Sequence, residues 1–456
     1  MAQSSYDLVV IGSGPGGYVA AIRAAQLGMK TAVIEKDRVG GRCLNYACIP
    51  AKAVLRVADV LSEIRDAKDF GIKVADPEID YDGISARRTK VITTLTGGVA
   101  GLLKKNSVDV IEGSASLSGD GKIKVGDQTI EAGKIVLATG SVKRPIPGAE
   151  FGGRVIGTEE AWALDALPKT LAVVGAGASG VEIASAYARL GSEVILFEAL
   201  ERVLPTEDAD ISKVAERGFK KQGIKVHTGT LVTDIESGDD AVKFTYGDET
   251  GEAEWLVIAA GRGPDVDGLG LDQAGVKLGE NGLIEVDGAM HTSAEGIYAI
   301  GDLVPGPALA HKASDEGVIA VEDAAGMTTH PIEYIDVPRA TFCTPNVASF
   351  GLTEAQAREQ GHDVVVGKVQ YGAVGAGTVY GDRTGLVKIV GDKRYGELVG
   401  GHIIGAKATE LIQELVNAKA LEGGYPEIAH LVHGHPTMSE AVMEAARAAD
   451  GWLIHG

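Results

Sequence analysis

Cys43 and Cys48 stand five positions apart in the run Gly40-Gly41-Arg42-Cys43-Leu44-Asn45-Tyr46-Ala47-Cys48, and Lys52 follows four residues after the second thiol. A chain with only three cysteines is no disulfide scaffold, and a close pair points to redox or metal chemistry. Metal binding would require further Cys or His ligands close by, and the neighbouring sequence has none. Two readings remain, a redox pair and two buried thiols acting as small hydrophobes. On a regular helix five residues at about 100° each set the side chains about 140° apart. A disulfide therefore requires Cys43 to sit in an irregular first turn. Lys52 shares a helical face with Cys48 and is expected to bring a cation to it. Cys343, alone in Thr341-Phe342-Cys343, is expected to be buried and inert.

The elements that must position this pair are legible around it. An apolar run at Asp7–Ile11 leads into Gly12-Ser13-Gly14-Pro15-Gly16-Gly17, an Ala-rich helical segment Tyr18–Leu27 and a second apolar run Thr31–Ile34 ending at Glu35. The same βαβ unit recurs at Thr170–Val174, Gly175-Ala176-Gly177-Ala178-Ser179-Gly180, Val181–Leu190 and Glu193–Phe197, ending at Glu198. Glu35 and Glu198 each stand 23 positions after the first glycine of their turn. In such a turn the first glycine permits the bend (Gly12, Gly175), the second lets backbone approach a pyrophosphate (Gly14, Gly177), and the third lets helix and strand pack closely (Gly17, Gly180). The acid accepts from ribose hydroxyls. Two dinucleotides imply electron transfer between them. Further on, Thr292–Ile300 is an apolar strand ending in Gly301-Asp302, a second FAD fingerprint whose aspartate can bind the ribityl chain. That assigns FAD to Gly12–Glu35 and the nicotinamide cofactor, NAD, to Gly175–Glu198.

The fold class expected is α/β, with two Rossmann-like dinucleotide-binding domains and a C-terminal α+β dimerisation domain. Short alternating strands occupy Lys122–Ile130 and Ala241–Trp255; the apolar strands Lys134–Ala138, followed by Thr139-Gly140, and Leu256–Ala260, followed by Gly261-Arg262, close the two regions. Strands near Gly385–Val390 and Leu398–Ile404 precede helices near Ala408–Leu421 and Ser439–Ala448. The expected boundaries are 1–143 and 264–334 for the FAD domain, 144–263 for the NAD domain and 335–456 for the dimerisation domain.

Composition excludes several classes. With 43 basic against 63 acidic residues the net charge is −20, and no basic run offsets it, which argues against nucleic acid as a partner. The longest uncharged stretch, Leu8–Ile22, is fifteen residues with four glycines and a proline, short of the ~20 that span a bilayer. No membrane span is expected. Met1–Ser5 leads straight into a strand with no leader pattern, so a cytoplasmic location is expected.

The ordered set of motifs resembles the FAD-dependent disulfide reductases of the pyridine nucleotide-disulfide oxidoreductase family, and most closely the branch that oxidises dihydrolipoamide. It comprises both glycine turns, GGRCLNYACIPAK, Ala138-Thr139-Gly140, Gly301-Asp302, Leu309-Ala310-His311-Lys312 and His433-Gly434-His435-Pro436-Thr437-Met438-Ser439-Glu440, and it spans essentially the whole chain. The resemblance implies that Cys43 exchanges with substrate and Cys48 faces the flavin, with Lys52 near the flavin and paired with Glu182. It implies His435 as acid–base, oriented by Glu440, although by residue type alone His435 reads as a loop histidine beside Pro436. Cofactor contacts are implied at Lys52, Ala115, Thr139, Gly140, Asp302, Ala310 and Gly261, and the helix opening near His311 points its positive end at the flavin. Implied partners are dihydrolipoamide on a lipoyl domain, a second copy of the chain, and the acyltransferase core of a 2-oxo acid dehydrogenase complex. Arg42, Tyr46-Ala47 and Ala51 depart from the family's usual Thr or small residue, Val-Gly and Ser. Two alternatives are a glutathione reductase-like enzyme and a mainly structural docking subunit of such a complex. Glutathione-type reductases carry Val-Pro-Lys-Lys after the second cysteine, where this chain has Ile49-Pro50-Ala51-Lys52.

Overall fold

A computed structural model describes residues 4–456, which divide into two compact units. The first comprises the residues up to Ala53, Asp82–Arg144 and Gly261–Tyr334; the second comprises Val54–Tyr81, Pro145–Ala260 and Ile335–Gly456.

In the first unit the run Leu8–Ile11 is buried on both faces, as a strand inside a covered parallel sheet must be. Because side chains alternate, Val9 and Ile11 join one core with Ile34, Ile135 and Leu137, while Leu8 and Val10 join another with Val33, Val136, Ala20 and Ala320. Strand Ser4–Ile11 pairs in parallel with Thr31–Glu35 on one side and Gln128–Leu137 on the other, Val9 facing Ala32 and Ile135. Hairpin strand Lys122–Val125 and apolar strand 134–138, expected as separate elements, prove to be joined through one long strand, Gln128–Leu137. Its residues 128–131 pair antiparallel with Lys122–Val125 and 135–137 pair parallel with Ile297–Ala299, while 130–137 pair parallel with Ser4–Ile11. Strand Ile297–Ala299 thus returns to the first sheet immediately before Gly301-Asp302.

The second unit repeats the arrangement: Glu193–Phe197 and Trp255–Ile258 flank Thr170–Val174 in a five-stranded sheet. Its C-terminal part is a separate five-stranded antiparallel sheet in the order Arg339–Thr341, Val347–Gly351, Glu397–Ile404, Leu386–Asp392, Val364–Gln370. Helix Glu440–Ala449 lies directly on this sheet, since a Cβ at Gly367 would meet the Ala445 carbonyl oxygen at 1.8 Å.

A buried lysine joins the two parts of this unit. Lys388 Nζ, in a side chain 3% exposed, lies 2.8 Å from Asp208 Oδ1, 2.8 Å from Asp210 Oδ2 and 2.9 Å from Glu354 Oε2. Asp208 also caps helix Ala209–Lys221, accepting from the Asp210 N–H. Burial acts to raise the Asp210 carboxyl, but Lys368 and Lys388 outweigh it and bring it down to about 2. Removing one member of a buried ion cluster leaves the others uncompensated, so Lys388→Met is expected to destabilise the protein by about 3–5 kcal/mol, read as a lower unfolding temperature. A depressed carboxyl stabilises the fold above its unfolded pKa near 3.8 and loses that contribution as pH falls toward 2. In the parent the cluster's contribution is therefore expected to fade across that interval, and in Lys388→Met the fade is expected to be smaller, because only Lys368 still pairs with Asp210.

Candidate functional site

Both glycine turns are built on backbone contacts that admit no side chain. Gly12 and Gly175 have φ of +102° and +103°, and a Cβ there would meet the carbonyl oxygens of Ala138 and Ala259 at 2.4 and 2.7 Å. A Cβ at Gly17 would meet the Gly12 carbonyl oxygen at 1.9 Å, and one at Gly180 the Gly175 carbonyl oxygen at 1.8 Å. Gly14 and Gly177 differ: each is the N-cap of its helix (Pro15–Gln26, Ala178–Leu190), has no side-chain cap, and would place a Cβ in open space. Two helix N-termini with uncapped N–H groups therefore face room for a phosphate, which fits a dinucleotide at each. The acids brace the same turns. Glu35 Oε2 accepts from Ser13 N–H (2.9 Å) and Oγ–H (2.6 Å), and Glu198 Oε2 accepts from Ala176 N–H (2.7 Å). Glu35 Oε1 accepts from Asp37 N–H and Glu198 Oε1 from Leu200 N–H, at 2.9 and 3.0 Å. A carboxylate has about four acceptor positions, so each retains capacity for a ribose hydroxyl.

The cysteine segment is laid against the first turn. Gly41, at φ +59°, sits so close to Gly14 that a Cβ would meet the Gly14 Cα at 2.6 Å. Gly40 N–H donates to the Ser13 carbonyl (3.1 Å), and Asn45 Nδ2 donates to the carbonyls of Val39 and Gly41. Cys43 is not in an irregular first turn of the helix that carries Cys48. It lies in its own short helix, Gly41–Asn45; the chain breaks at Tyr46 (φ −132°), and Cys48 begins a second helix, Cys48–Asp66. Tyr46 OH donates to Asp37 Oδ2 at 2.7 Å, tying the break to the loop after Glu35. That break removes the 140° separation of a continuous helix, and the two cysteines, present as thiols, become hydrogen-bond partners. The bond to Cys48 and burial push the Cys43 thiol far above its ordinary range, against the opposing charges of Lys52 and Arg42. Lys52 thus acts on the thiol pair from the same helix as Cys48.

Asp302 lies in a 3₁₀ turn, Gly301–Leu303, and accepts from Ser141 Oγ–H at 2.5 Å. Ser141 in turn receives two Arg262 N–H groups, on Oγ at 2.9 Å and on its carbonyl at 2.5 Å. Thr139 Oγ1 donates to the Asp265 carbonyl at 2.6 Å, and Gly140 turns at φ +80°. Gly261 precedes the short strand Arg262–Pro264, which pairs with Ser141–Lys143. Ala310 opens helix Ala310–Ala324, with His311 in its first turn. Ala115, by contrast, packs half-buried against the sheet core from strand Ala115–Leu117. Sequence reasoning missed Ser141 and Arg262; each directly follows a singled-out glycine, and adjacency was the available signal.

In the second unit His435 Nδ1 lies 2.9 Å from Glu440 Oε1, while Glu440 Oε2 accepts from Thr437 N–H at 2.8 Å. Burial acts to raise the Glu440 carboxyl, but the bonds from His435 and Thr437 outweigh it and hold it low. An ionised carboxylate only accepts, so Nδ1 carries hydrogen and Nε2 is left as the accepting nitrogen of the neutral ring. The ring is 76% exposed. Glu182 is buried in helix Ala178–Leu190 and accepts from Phe342 N–H at 2.8 Å. His433 is held 2.6 Å from Glu414. Cys343 is buried, its thiol donating to the Pro345 carbonyl. Among the described residues no group of three or more His, Cys, Asp or Glu could hold a metal, and no helix is long and apolar enough to cross a membrane.

Paired nucleotide turns with a thiol pair packed on the first define a pyridine nucleotide-linked disulfide oxidoreductase. Residues 6–317 match the pyridine nucleotide-disulphide oxidoreductase family and residues 337–446 its dimerisation domain; the chain belongs to this family. More particularly, it is 42% identical to a dihydrolipoyl dehydrogenase of Rhizobium etli and 40% identical to one of Bacillus subtilis, each alignment covering 99% of both chains. Among solved structures, LpdA from Mycobacterium tuberculosis superposes with a TM-score of 0.90 at 29% identity, covering 97% of this chain and 99% of that one. The HOCl-induced flavoprotein disulfide reductase RclA from Escherichia coli does so at 0.86 and 28%, covering 96% and 98%.

The open space at Gly177 and the closed contact at Gly180 separate binding from folding. Gly177→Ala is expected to leave the unfolding temperature unchanged while weakening NADH binding, because only a ligand would meet the new methyl. Gly180→Ala is expected to destabilise by about 1–3 kcal/mol, because the methyl forces strand and helix apart. Thermal melts and NADH titration of both variants check the contrast.

Proposed function

We propose that the chain is a dihydrolipoamide dehydrogenase, an FAD-dependent enzyme that oxidises dihydrolipoamide to lipoamide and reduces NAD. The observation that carries this reading is the contact of Gly41 with Gly14, which packs the thiol-pair segment onto the nucleotide turn; the full-length likeness to dihydrolipoyl dehydrogenases supports it. Bound FAD supplies a two-electron carrier between the dithiol and NAD. Oxidation of the substrate removes two electrons and two protons and forms its internal S–S bond, while the Cys43–Cys48 disulfide is reduced to two thiols.

In this reading Cys43 is the exchanging thiol and Cys48 the one that faces the flavin. His435 takes the proton of the attacking substrate thiol on Nε2, a task suited to an imidazole near neutral pH. Glu440 holds the ring in that tautomer. Lys52 is the cation beside the flavin and Glu182 its counter-charge. The first turn, with Gly12, Gly14, Gly17, Glu35, Ala115, Thr139, Gly140, Asp302 and Ala310, is assigned to FAD; Gly175, Gly177, Gly180, Glu198 and Gly261 are assigned to NAD. Residues 1–143 and 264–334 form the FAD domain, 144–263 the NAD domain and 335–456 the interface domain of a homodimer. The enzyme serves the acyltransferase core of a 2-oxo acid dehydrogenase complex in the cytoplasm through its lipoyl domain.

Anaerobic addition of dihydrolipoamide to the purified yellow protein is the test: bleaching, followed by return of colour and formation of NADH on adding NAD, is the expected result. A flavin that bleaches with NADH but not with dihydrolipoamide would overturn the substrate. His435→Ala is expected to lower dihydrolipoamide oxidation by about 10²–10⁴-fold. NADH-dependent reduction of ferricyanide, which asks for no thiol deprotonation, is expected to stay near the parent rate. Steady-state assays of both reactions on one preparation check it.

A further inference from the structure

Helix Ala310–Ala324 presents two faces to the first nucleotide site. On one, Ala313 and Gly317 pack backbone-to-backbone on the phosphate-side helix: a Cβ at Gly16 would meet the Ala313 carbonyl oxygen at 2.7 Å, and one at Gly317 the Gly16 carbonyl oxygen at 2.7 Å. On the other, Lys312 and Glu316 form an ion pair at 3.2 Å with both side chains 0% exposed. Nothing in the reaction scheme above uses this pair. Taking two charges fully out of water costs several kcal/mol for each, and well-packed apolar residues often serve a core as well or better.

Its contacts converge on one residue, Gly301, with one further bond from Lys312 Nζ to the Pro305 carbonyl at 3.4 Å. Glu316 Oε2 accepts from Gly301 N–H at 2.7 Å, and Lys312 Nζ donates to the Gly301 carbonyl at 2.9 Å. Gly301 is therefore gripped at both its donor and its acceptor, in a left-handed conformation (φ +76°) that other residues rarely adopt. Asp302 is the next residue, in the same 3₁₀ turn. Tyr334 OH donates to Glu316 Oε1 at 2.5 Å, and its ring lies 5.3 Å below Lys312 Nζ. The carboxyl of Glu316 is raised by burial despite Lys312, Tyr334 and Gly301, so the pair is held by its contacts rather than by favourable solvation.

We propose that Lys312 and Glu316 are positioning residues for the flavin: their buried ion pair clamps Gly301 at both its N–H and its carbonyl and so fixes the Asp302 carboxylate relative to the N-terminus of helix Ala310–Ala324. This rests on the FAD reading of the first nucleotide site. One rigid body then carries the ribityl-binding acid and the positive helix end, and through Gly317 it is also keyed to the phosphate-binding helix. Ser141 holds the Asp302 side chain, so backbone and carboxylate are set by separate contacts.

The test uses the holoprotein and reads the flavin as well as activity. The double variant Lys312→Met/Glu316→Gln removes both charges and keeps an acceptor for Gly301 N–H. It is expected to fold, with FAD affinity lowered at least about tenfold, the scale of one lost hydrogen bond to a charged group. Its flavin absorption and midpoint potential are expected to shift, which a purely structural role would not cause. Tyr334→Phe, with both charges kept, is the milder arm and is expected to shift the same spectrum in the same direction with less loss of affinity. Parent-like FAD affinity, spectrum and potential in a folded double variant would overturn the clamp and leave the flavin reading standing. If the double variant does not fold, an unchanged flavin spectrum in Tyr334→Phe overturns it in the same way, and a shifted one supports it. A parent chain that took up no FAD would overturn the flavin reading and the clamp together.

Discussion

Strand and helix approach so closely in each nucleotide turn that the third glycine rests on the carbonyl of the first. The space between Gly17 and the Gly12 oxygen, and between Gly180 and the Gly175 oxygen, is smaller than a methyl group. That contact sets where each helix begins, and it leaves the helix N-terminus uncapped and facing outward over Gly14 or Gly177. The unsatisfied N–H groups and the positive dipole end follow from it, as does any affinity for phosphate. The adjoining strand then brings a carboxylate to the turn's own backbone, so Glu35 and Glu198 first stabilise the loop and then have capacity left for a ligand.

The two copies share more than the turns. In both, the acid receives the N–H two residues on, from Asp37 or Leu200, and the chain then crosses back to donate to the turn, Gly40 N–H to Ser13 and Leu204 N–H to Ala176. They diverge at the next residue. After Gly40 comes Gly41, whose missing side chain lets the chain run against Gly14 and continue into the cysteine helices. In the second copy Leu204 is followed by Pro205, and the next long helix is Ala209–Lys221, capped by Asp208 and tied to the C-terminal sheet through Lys388. One scaffold thus carries a pair of thiols in its first use and a structural joint in its second.

Buried charge has a recurring purpose in this chain. Lys388 is surrounded by carboxylates from two elements and joins two parts of one unit. Lys312 and Glu316 instead grip the N–H and the carbonyl of one residue, Gly301. Hydrogen bonds to ions are directional in a way that apolar packing is not, which is what locating a backbone group to within a fraction of an ångström demands.

The repeat of glycine spacing with its acid, the cysteine pair, and the fold class were all legible in the chain because each depends on local sequence: glycine where no Cβ fits, strand and helix periodicity, and residue chemistry. Gly12, Gly14, Gly17, Gly175, Gly177 and Gly180 could be given separate roles from spacing alone; a Cβ would meet backbone at Gly12, Gly17, Gly175 and Gly180 and open space at Gly14 and Gly177. Other features were not local. The merging of the hairpin with the central strand in Gln128–Leu137 depends on a strand that exchanges one neighbour for another along its length. The helix break at Tyr46 depends on a hydrogen bond to Asp37, nine residues back, and that break, rather than the five-residue spacing, lets two thiols meet. Ser141, Arg262, Lys312 and Glu316 surround Gly301 and Asp302 from segments up to 161 residues apart. The sequence by itself determined which residue types stood ready for phosphate, ribose and thiol chemistry. Only the tertiary structure decided which distant backbone and side-chain groups hold them in place, because a hydrogen bond between remote segments leaves no periodicity or spacing in either one.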